Sequence, residues 1–340
     1  MKQLIVLILL TTVAYLNIFN NQLVVDDHIF VGKYHPSVIE AFSGAVPPGH
    51  EGVYRPIRGV FYTIYNQLWG VNPFGYHLNS LLVHLASTIL VYFIIESLIR
   101  SLKLEIRNSH WLPFVAALLF GLHPIHTETI TYMASAMDSI GIVFFLAAFY
   151  LYLRNKIVPS VILAMLAFFT TEMALTLPLL ILLYEGVLGK SGRWGRYKKI
   201  WPYFVGAGMY LFVRFGVLGI TTRGPYLANS FYLTMLTMTK VLVHYLWILL
   251  WPVNLASNHI ISPGIEAFVY RNYRTAAIAA QSILDPEILF SITVIIIIIF
   301  IMVIARKNHP LVSFSLGWFF ISLLPVMELV PQGSMMNERS

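Results

Sequence analysis

The chain has 340 residues, 58% hydrophobic and 11% charged, with no cysteine and a formal net charge of +7. A soluble domain carries about 25% charged residues, so the composition is that of a polytopic membrane protein. The basic residues sit in short clusters between apolar runs, as in cytoplasmic loops, which argues against a nucleic-acid partner. The lack of cysteine excludes a disulfide framework, a thiolate metal site and a cysteine nucleophile, and it leans the expected location towards a prokaryotic plasma membrane rather than an endoplasmic reticulum.

The pattern predicts an all-α fold of about nine spans in a single transmembrane domain over residues 1–340. Residues 4–19 read as an uncleaved first span, and charge returns abruptly at Asp26-Asp27-His28. Residues 20–75 form a long first outer loop. Within it, Pro56 opens a predicted helix whose Ile57, Val60, Phe61, Ile64 and Leu68 recur at helical spacing, expected to lie along the membrane surface. The next span covers 76–98, with Arg100, Lys103 and Arg107 marking the cytoplasmic side. Further spans are expected over 111–122, 140–153, 158–171, 173–188, 200–219, 288–305 and 311–327. The stretch 231–251 is apolar as well. As a span it would place Arg306-Lys307 outside, against the positive-inside bias, so residues 220–286 are read as an outer loop with an interfacial or re-entrant helix. Tyr54, Tyr62, Tyr65, Trp69, Trp247 and Trp251 are expected in interfacial belts. The chain stops at Asn337-Glu338-Arg339-Ser340 directly after a span, so more protein is expected to follow.

On this topology the cytoplasmic segments hold only Glu96, Glu105 and Glu185 among the acids, which places a catalytic or binding face outside. Asp26 and Asp27 lead the candidates there: two adjacent carboxylates beside a low-dielectric slab cannot both ionise cheaply, so one is expected to have a raised pKa. His123, His126 and Glu128 have spacing that suits a cation, hydrogen-bonded packing of a turn, or substrate binding, and these readings stay open. His77 and His84 share one helix face and read as interhelical polar contacts. Arg214 and Glu172 are ionisable groups at membrane depth, to be paired with each other or functional. Arg55, Arg58, Arg223 and Arg339 are interfacial. Carboxylates with nearby guanidiniums suit displacement at a sugar carbon: a carboxylate takes the acceptor proton while arginines hold the departing phosphate.

These motifs carry a resemblance. Asp26-Asp27-His28, Tyr54-Arg55-Pro56, Tyr76-His77-Leu78-Asn79, His123-Pro124-Ile125-His126-Thr127-Glu128, Glu172 with Thr176-Leu177-Pro178, Trp251-Pro252-Val253-Asn254 and Asn337-Glu338-Arg339 resemble the membrane portion of the transmembrane and tetratricopeptide-repeat-containing O-mannosyltransferases and their prokaryotic relatives, in the GT-C glycosyltransferase superfamily. The resemblance implies a GT-C-like helical bundle and an inverting transferase. Its donor would be a sugar, often mannose, on a polyprenyl phosphate, and its acceptor a protein or glycan hydroxyl. It also implies Asp26 as general base with Asp27 beside it. Arg55, Arg214 and Arg339 are the expected donor-phosphate ligands. His28, His77, His123, His126, Glu128, Asp138, Glu172 and Glu338 are substrate-binding or structural candidates. No cofactor is required, with room left for a divalent metal. The chain departs from the family at Ala136-Met137-Asp138, where Arg-x-Asp is usual, and at Thr171-Glu172, where Lys-Glu is usual. A transporter or flippase of a lipid-linked or anionic solute, and a non-catalytic homologue, are the rival readings.

Overall fold

The structure, a computed structural model, describes residues 2–24, 26–47, 50–102, 109–189, 193–221, 224–253, 255, 260–261, 265–266 and 282–331. Arg223, Glu338 and Arg339 lie outside the described residues. The described chain is helical apart from one short antiparallel ladder, β1 (Ile260–Ile261) with β2 (Ile265–Glu266). It divides into two compact units, Met1–Pro178 with Trp194–Ile220, and Leu179–Arg193 with Thr221–Ser340.

In the first unit, α1 (Lys2–Ala14) continues as a 3-10 turn over Leu16–Asn20 and is followed by two short helices, α2 (Asp27–Phe30) and α3 (Val38–Phe42). α4 (Pro56–Trp69) begins at the expected proline. Its core face is Pro56, Gly59 and Tyr62, while Ile64 and Leu68 of the apolar stripe are exposed. α5 (Pro73–Leu102), α6 (Leu112–Leu122), α7 (His126–Thr131), α8 (Met133–Leu153) and α9 (Ile157–Phe168) follow. A 3-10 turn over Glu172–Thr176 leads to α10 (Leu177–Val187), which from Leu179 onward belongs to the second unit. α11 (Arg193–Leu211) widens into π-helix over Phe212–Val217, the segment that carries Arg214.

α8 is the hub of this unit, packed along α5 and α9. Small residues on it, Ala134, Ser135, Ala136, Gly141 and Ala148, let neighbouring backbones approach closely, the usual basis of helix association in lipid. Gly141 shows why: a Cβ there would stand 2.6 Å from Thr171 Cγ2 and 3.0 Å from Thr170 Cβ. Its missing side chain is what lets the turn bearing Glu172 settle on α8, one helical turn from Asp138. The α8-to-α9 reversal uses Asn155 at φ 56°, with the Lys156 amide donating to Leu151.

In the second unit, α12 (Phe231–Leu250), α13 (Pro286–Asn308) and α14 (Pro310–Leu323) pack in sequence. Lys240, midway along α12, is buried and donates to Glu287 at 2.6 Å. Leu236 packs on Ile288 and Ile292, and Tyr226, just before α12, donates to the Leu329 carbonyl at 3.1 Å. These contacts all fall at one end of the α13–α14 hairpin. Arg306 and Lys307 stand at the other.

Among the described residues six helices are long and apolar enough to cross a membrane: Lys2–Asn20, Pro73–Ser101, Met133–Leu153, Tyr197–Val217, Phe231–Leu250 and Pro286–Asn308. Leu112–Leu122, Ile157–Phe168 and Pro310–Val326 are apolar but shorter. The chain is thus a multi-pass membrane protein. By length alone 231–250 qualifies as a span, whereas four of the expected nine spans fall on helices shorter than 18 residues, α6, α9, α10 and α14. The fourth expected span starts earlier than its apolar run, at Met133, so Asp138 lies inside α8 rather than before it. Tyr54 and Tyr62 are not belt residues. They are 1% and 0% exposed because each closes a polar contact in the first loop: Tyr54 donates to the Phe42 carbonyl, and Tyr62 lies under Arg58.

Candidate active site

The starts of α4, α5 and α8, the Glu172 turn and the π-helical end of α11 gather at one end of the first unit. Arg100, Arg154, Lys156, Lys198 and Lys199 mark the ends of its helices at the other. The sequence spacing explains the first step. Arg55 caps α4 and Arg58 follows three residues later, so both guanidiniums leave the same side of the helix. The Ile57 amide donates to the Phe169 carbonyl at 3.0 Å, tying the start of α4 to the chain just ahead of Glu172.

Five side chains then form one ion network, buried at Arg214 and Glu172 and partly buried at Arg55, Arg58 and Asp138. Arg55 Nη1 donates to both oxygens of Asp138 at 2.8 and 2.7 Å, and Arg55 Nε donates to Glu172 Oε2. Arg58 Nη1 donates to the same Asp138 oxygens at 2.9 and 3.1 Å. Arg214 Nη1 donates to Glu172 Oε1 at 3.1 Å, and its Nη2 to the Gly52 carbonyl at 3.0 Å. Arg214 is 3% exposed, and its Nε has no hydrogen-bond partner among the described residues. Burial alone would pull Arg55 down, but Asp138 and Glu172 overcome it and hold the guanidinium above its ordinary value. Three guanidiniums against two carboxylates leave the network with one net positive charge. The expected pairing of Arg214 with Glu172 is therefore present, and Arg55, proposed from sequence as a phosphate ligand, spends its donors on Asp138 and Glu172.

The two adjacent acids do different jobs. Asp27 is fully buried, accepting from the Val24 amide at 3.1 Å and the Ala134 amide at 2.9 Å, so it pins the first loop to the start of α8. Burial pushes its carboxyl above the ordinary range, those amides pull it back in part, and Asp26 pushes it up further. Asp27 is thus a structural acid in this arrangement. Asp26 is half-buried, its side chain 32% exposed, with His50 Nε2 at 3.9 Å from its Oδ2. A row of rings joins Asp26 to the network. His50 meets Phe30 edge-on at 4.9 Å, Phe30 stacks on Tyr62 at 4.8 Å, and the Arg58 guanidinium lies 5.2 and 5.5 Å over those two rings.

Other candidates stand elsewhere. His28 is exposed beside this site. His84 is buried and bonded to the Gly121 carbonyl at 3.0 Å, an interhelical polar contact between α5 and α6; His77 is fully buried in the same helix. His126 packs against Phe120 and His84, with ring centroids at 4.5 and 5.2 Å, and its ring lies 6.4 Å from that of His123. His123 Nδ1 accepts from the Ile125 amide at 3.2 Å, turning the Pro124 corner. Among the described residues no three His, Asp or Glu side chains gather as cation ligands. His50 carried no signal in the sequence, being a lone imidazole in a loop. Arg58 carried one, its three-residue spacing from Arg55.

No protein-family model matches the chain. No solved structure matches it either. Among curated proteins, the chain is 32% identical over 114 residues to protein O-mannosyl-transferase Tmtc3 of Drosophila melanogaster, covering 30% of this chain and 12% of that protein. It is 30% identical over 102 residues to TMTC1 of Homo sapiens, covering 30% and 11%, and 28% identical over 155 residues to Tmtc1 of Drosophila melanogaster, covering 44% and 17%. The matched region is thus under a fifth of each relative's length. All three are animal proteins, which does not favour the prokaryotic membrane expected from the missing cysteines. In its matched region the chain is similar to the protein O-mannosyl-transferases.

Proposed function

We propose that this chain is the membrane part of a GT-C-type glycosyltransferase that moves mannose or a similar sugar from a polyprenyl phosphate to a protein hydroxyl. The acceptor oxygen forms a bond to the anomeric carbon from the face opposite the phosphate, and its proton passes to Asp26. The bond from the anomeric carbon to the phosphate oxygen breaks, and the electron pair leaves with the phosphate, so configuration inverts. The leaving charge is met by the net positive network of Arg55, Arg58 and Arg214 rather than by any one free arginine, with the unpartnered Arg214 Nε as its spare donor. Arg339, outside the described residues, remains a further proposed ligand. The observation that carries the reading is the placement of a half-exposed carboxylate and a three-guanidinium network at one end of a membrane bundle, joined through Phe30 and Tyr62. The similarity to protein O-mannosyl-transferases in the matched region supports it.

We also propose that α12 lies in the membrane interface rather than crossing the bilayer. Its start and its middle both contact the same end of the α13–α14 hairpin, which suits a helix lying across that end better than one crossing the bilayer beside it.

The test of function is transfer from polyprenyl-phosphate mannose to endogenous protein in membranes containing the full-length protein, wild type against Asp26→Asn. Transfer that Asp26→Asn abolishes at unchanged expression supports the reading. If wild type consumes no donor, the enzymatic reading falls and transport of a lipid-linked solute takes its place.

A further inference from the structure

We infer that His50 is a positioning residue for Asp26, its Nε2–H holding the carboxylate ionised with one oxygen turned to the acceptor. This rests on the reading of Asp26 as the base. The observations are independent of that reading. His50 Nε2 lies 3.9 Å from Asp26 Oδ2, a separation that closes to a hydrogen bond with a small side-chain rotation, as catalytic contacts tighten when substrate binds. The backbone behind it is held, the His50 amide donating to the Pro47 carbonyl at 3.1 Å. The ring is held too, edge-on against Phe30 at 84°.

The environment selects the tautomer. His50 Nδ1 is buried and has no hydrogen-bond partner among the described residues. A proton on Nδ1 would bury an unsatisfied N–H and turn the Nε2 lone pair towards an anion. A proton on Nε2 leaves a bare lone pair at Nδ1 and aims a donor at Asp26. The charged and titratable groups around the ring fit that choice. Asp26 lies on the Nε2 side, Asp27 from α2 is turned to backbone amides, and Arg58 and Tyr62 from α4 lie across Phe30. Arg58 in turn is bound to Asp138, so the ion network and the base share one wall of aromatic rings.

A donor bonded to the ionised form of a carboxyl lowers its pKa, and losing that donor raises it. The test is pH-dependent labelling of Asp26 by a hydrophobic carbodiimide, which adds to the protonated carboxyl, read by mass spectrometry on the full-length protein in membranes. In His50→Leu the labelling midpoint is expected to rise by about one pH unit. His50→Gln, whose amide reaches about as far as Nε2, is expected to keep the wild-type midpoint, and His50→Asn, which reaches only as far as Nδ1, to follow His50→Leu. A wild-type midpoint in His50→Leu overturns the inference. Should that variant not insert, equal midpoints in His50→Gln and His50→Asn overturn it as well. Sugar transfer separates this inference from the function it rests on. If the acid limb of transfer moves with the labelling midpoint, Asp26 is the base that His50 positions. If labelling moves and the acid limb does not, the coupling of the two groups is real but the assignment of Asp26 as base fails.

Discussion

Glu172→Gln is the perturbation that probes the ion network most directly. The Glu172 side chain is 9% exposed and accepts from Arg55 Nε and Arg214 Nη1. After the substitution Arg55 keeps Asp138, whereas Arg214 keeps the Gly52 carbonyl but has no carboxylate among the described residues. The loss therefore falls mainly on one buried guanidinium left without a counter-charge, a situation that costs about 3–5 kcal/mol. The glutamine carbonyl retains one neutral hydrogen bond, worth about 1 kcal/mol, so a net loss near 3 kcal/mol is expected. Thermal unfolding in detergent should then fall by on the order of 5–10 °C. Arg214→Gln alone should cost less, because Glu172 still has Arg55. The double variant should cost little more than Glu172→Gln by itself, giving a coupling of about 2 kcal/mol. A Tm within 2 °C of wild type, or single losses that add to within about 0.5 kcal/mol, would falsify the network as a stabilising unit.

Gly141→Ala drives a methyl to 2.6 Å from Thr171 Cγ2, so overpacking should cost about 1–3 kcal/mol and shift the Glu172 turn away from Asp138. Thermal unfolding checks the cost, and an unchanged Tm would show that the turn gives way freely. Asp27 has a folded pKa above its ordinary value of 3.8, so the native state binds that proton more readily than the unfolded chain. Stability should therefore fall as pH rises from the ordinary carboxylate range through the raised value, and Asp27→Asn should flatten that slope. Chemical unfolding at a series of pH values reads it, and identical slopes in both proteins would remove Asp27 as the source. For α12, the cysteine-free chain allows single-cysteine labelling with membrane-impermeant reagents. Cysteines at Tyr226 and Leu250 should react from the same side of the membrane. Reaction of Tyr226 and Leu250 from opposite sides would make α12 a span.

The helices and several site residues were legible in the chain because lipid imposes simple rules. Long apolar runs must close their own hydrogen bonds as helix, a proline at a helix start is tolerated, and basic residues stay at one end. Asp26, Asp27, Arg55, Arg214 and Glu172 stood out as charges beside apolar runs, and mutual pairing of Arg214 with Glu172 is one of two readings left open by the cost of leaving either alone. The helical stripe on α4 marked a side expected to lie along the membrane, and Ile64 and Leu68 of it are exposed, whereas the core face of Pro56, Gly59 and Tyr62 follows no apolar periodicity.

Sequence by itself determined that this is a multi-pass helical membrane protein and which residue types collect at one end, since both follow from the transfer cost of each side chain along the chain. Tertiary structure alone decided which partner each charge takes. Asp138 binds Arg55 and Arg58, 83 and 80 positions away, Glu172 shares Arg55 at a separation of 117 and takes Arg214 at 42, and Asp27 is spent on backbone amides while its neighbour Asp26 faces His50. No periodicity encodes such pairings. They arise where Gly141 lets one backbone approach another and where the first loop folds back onto α8, and adjacent residues of the same type there meet opposite environments.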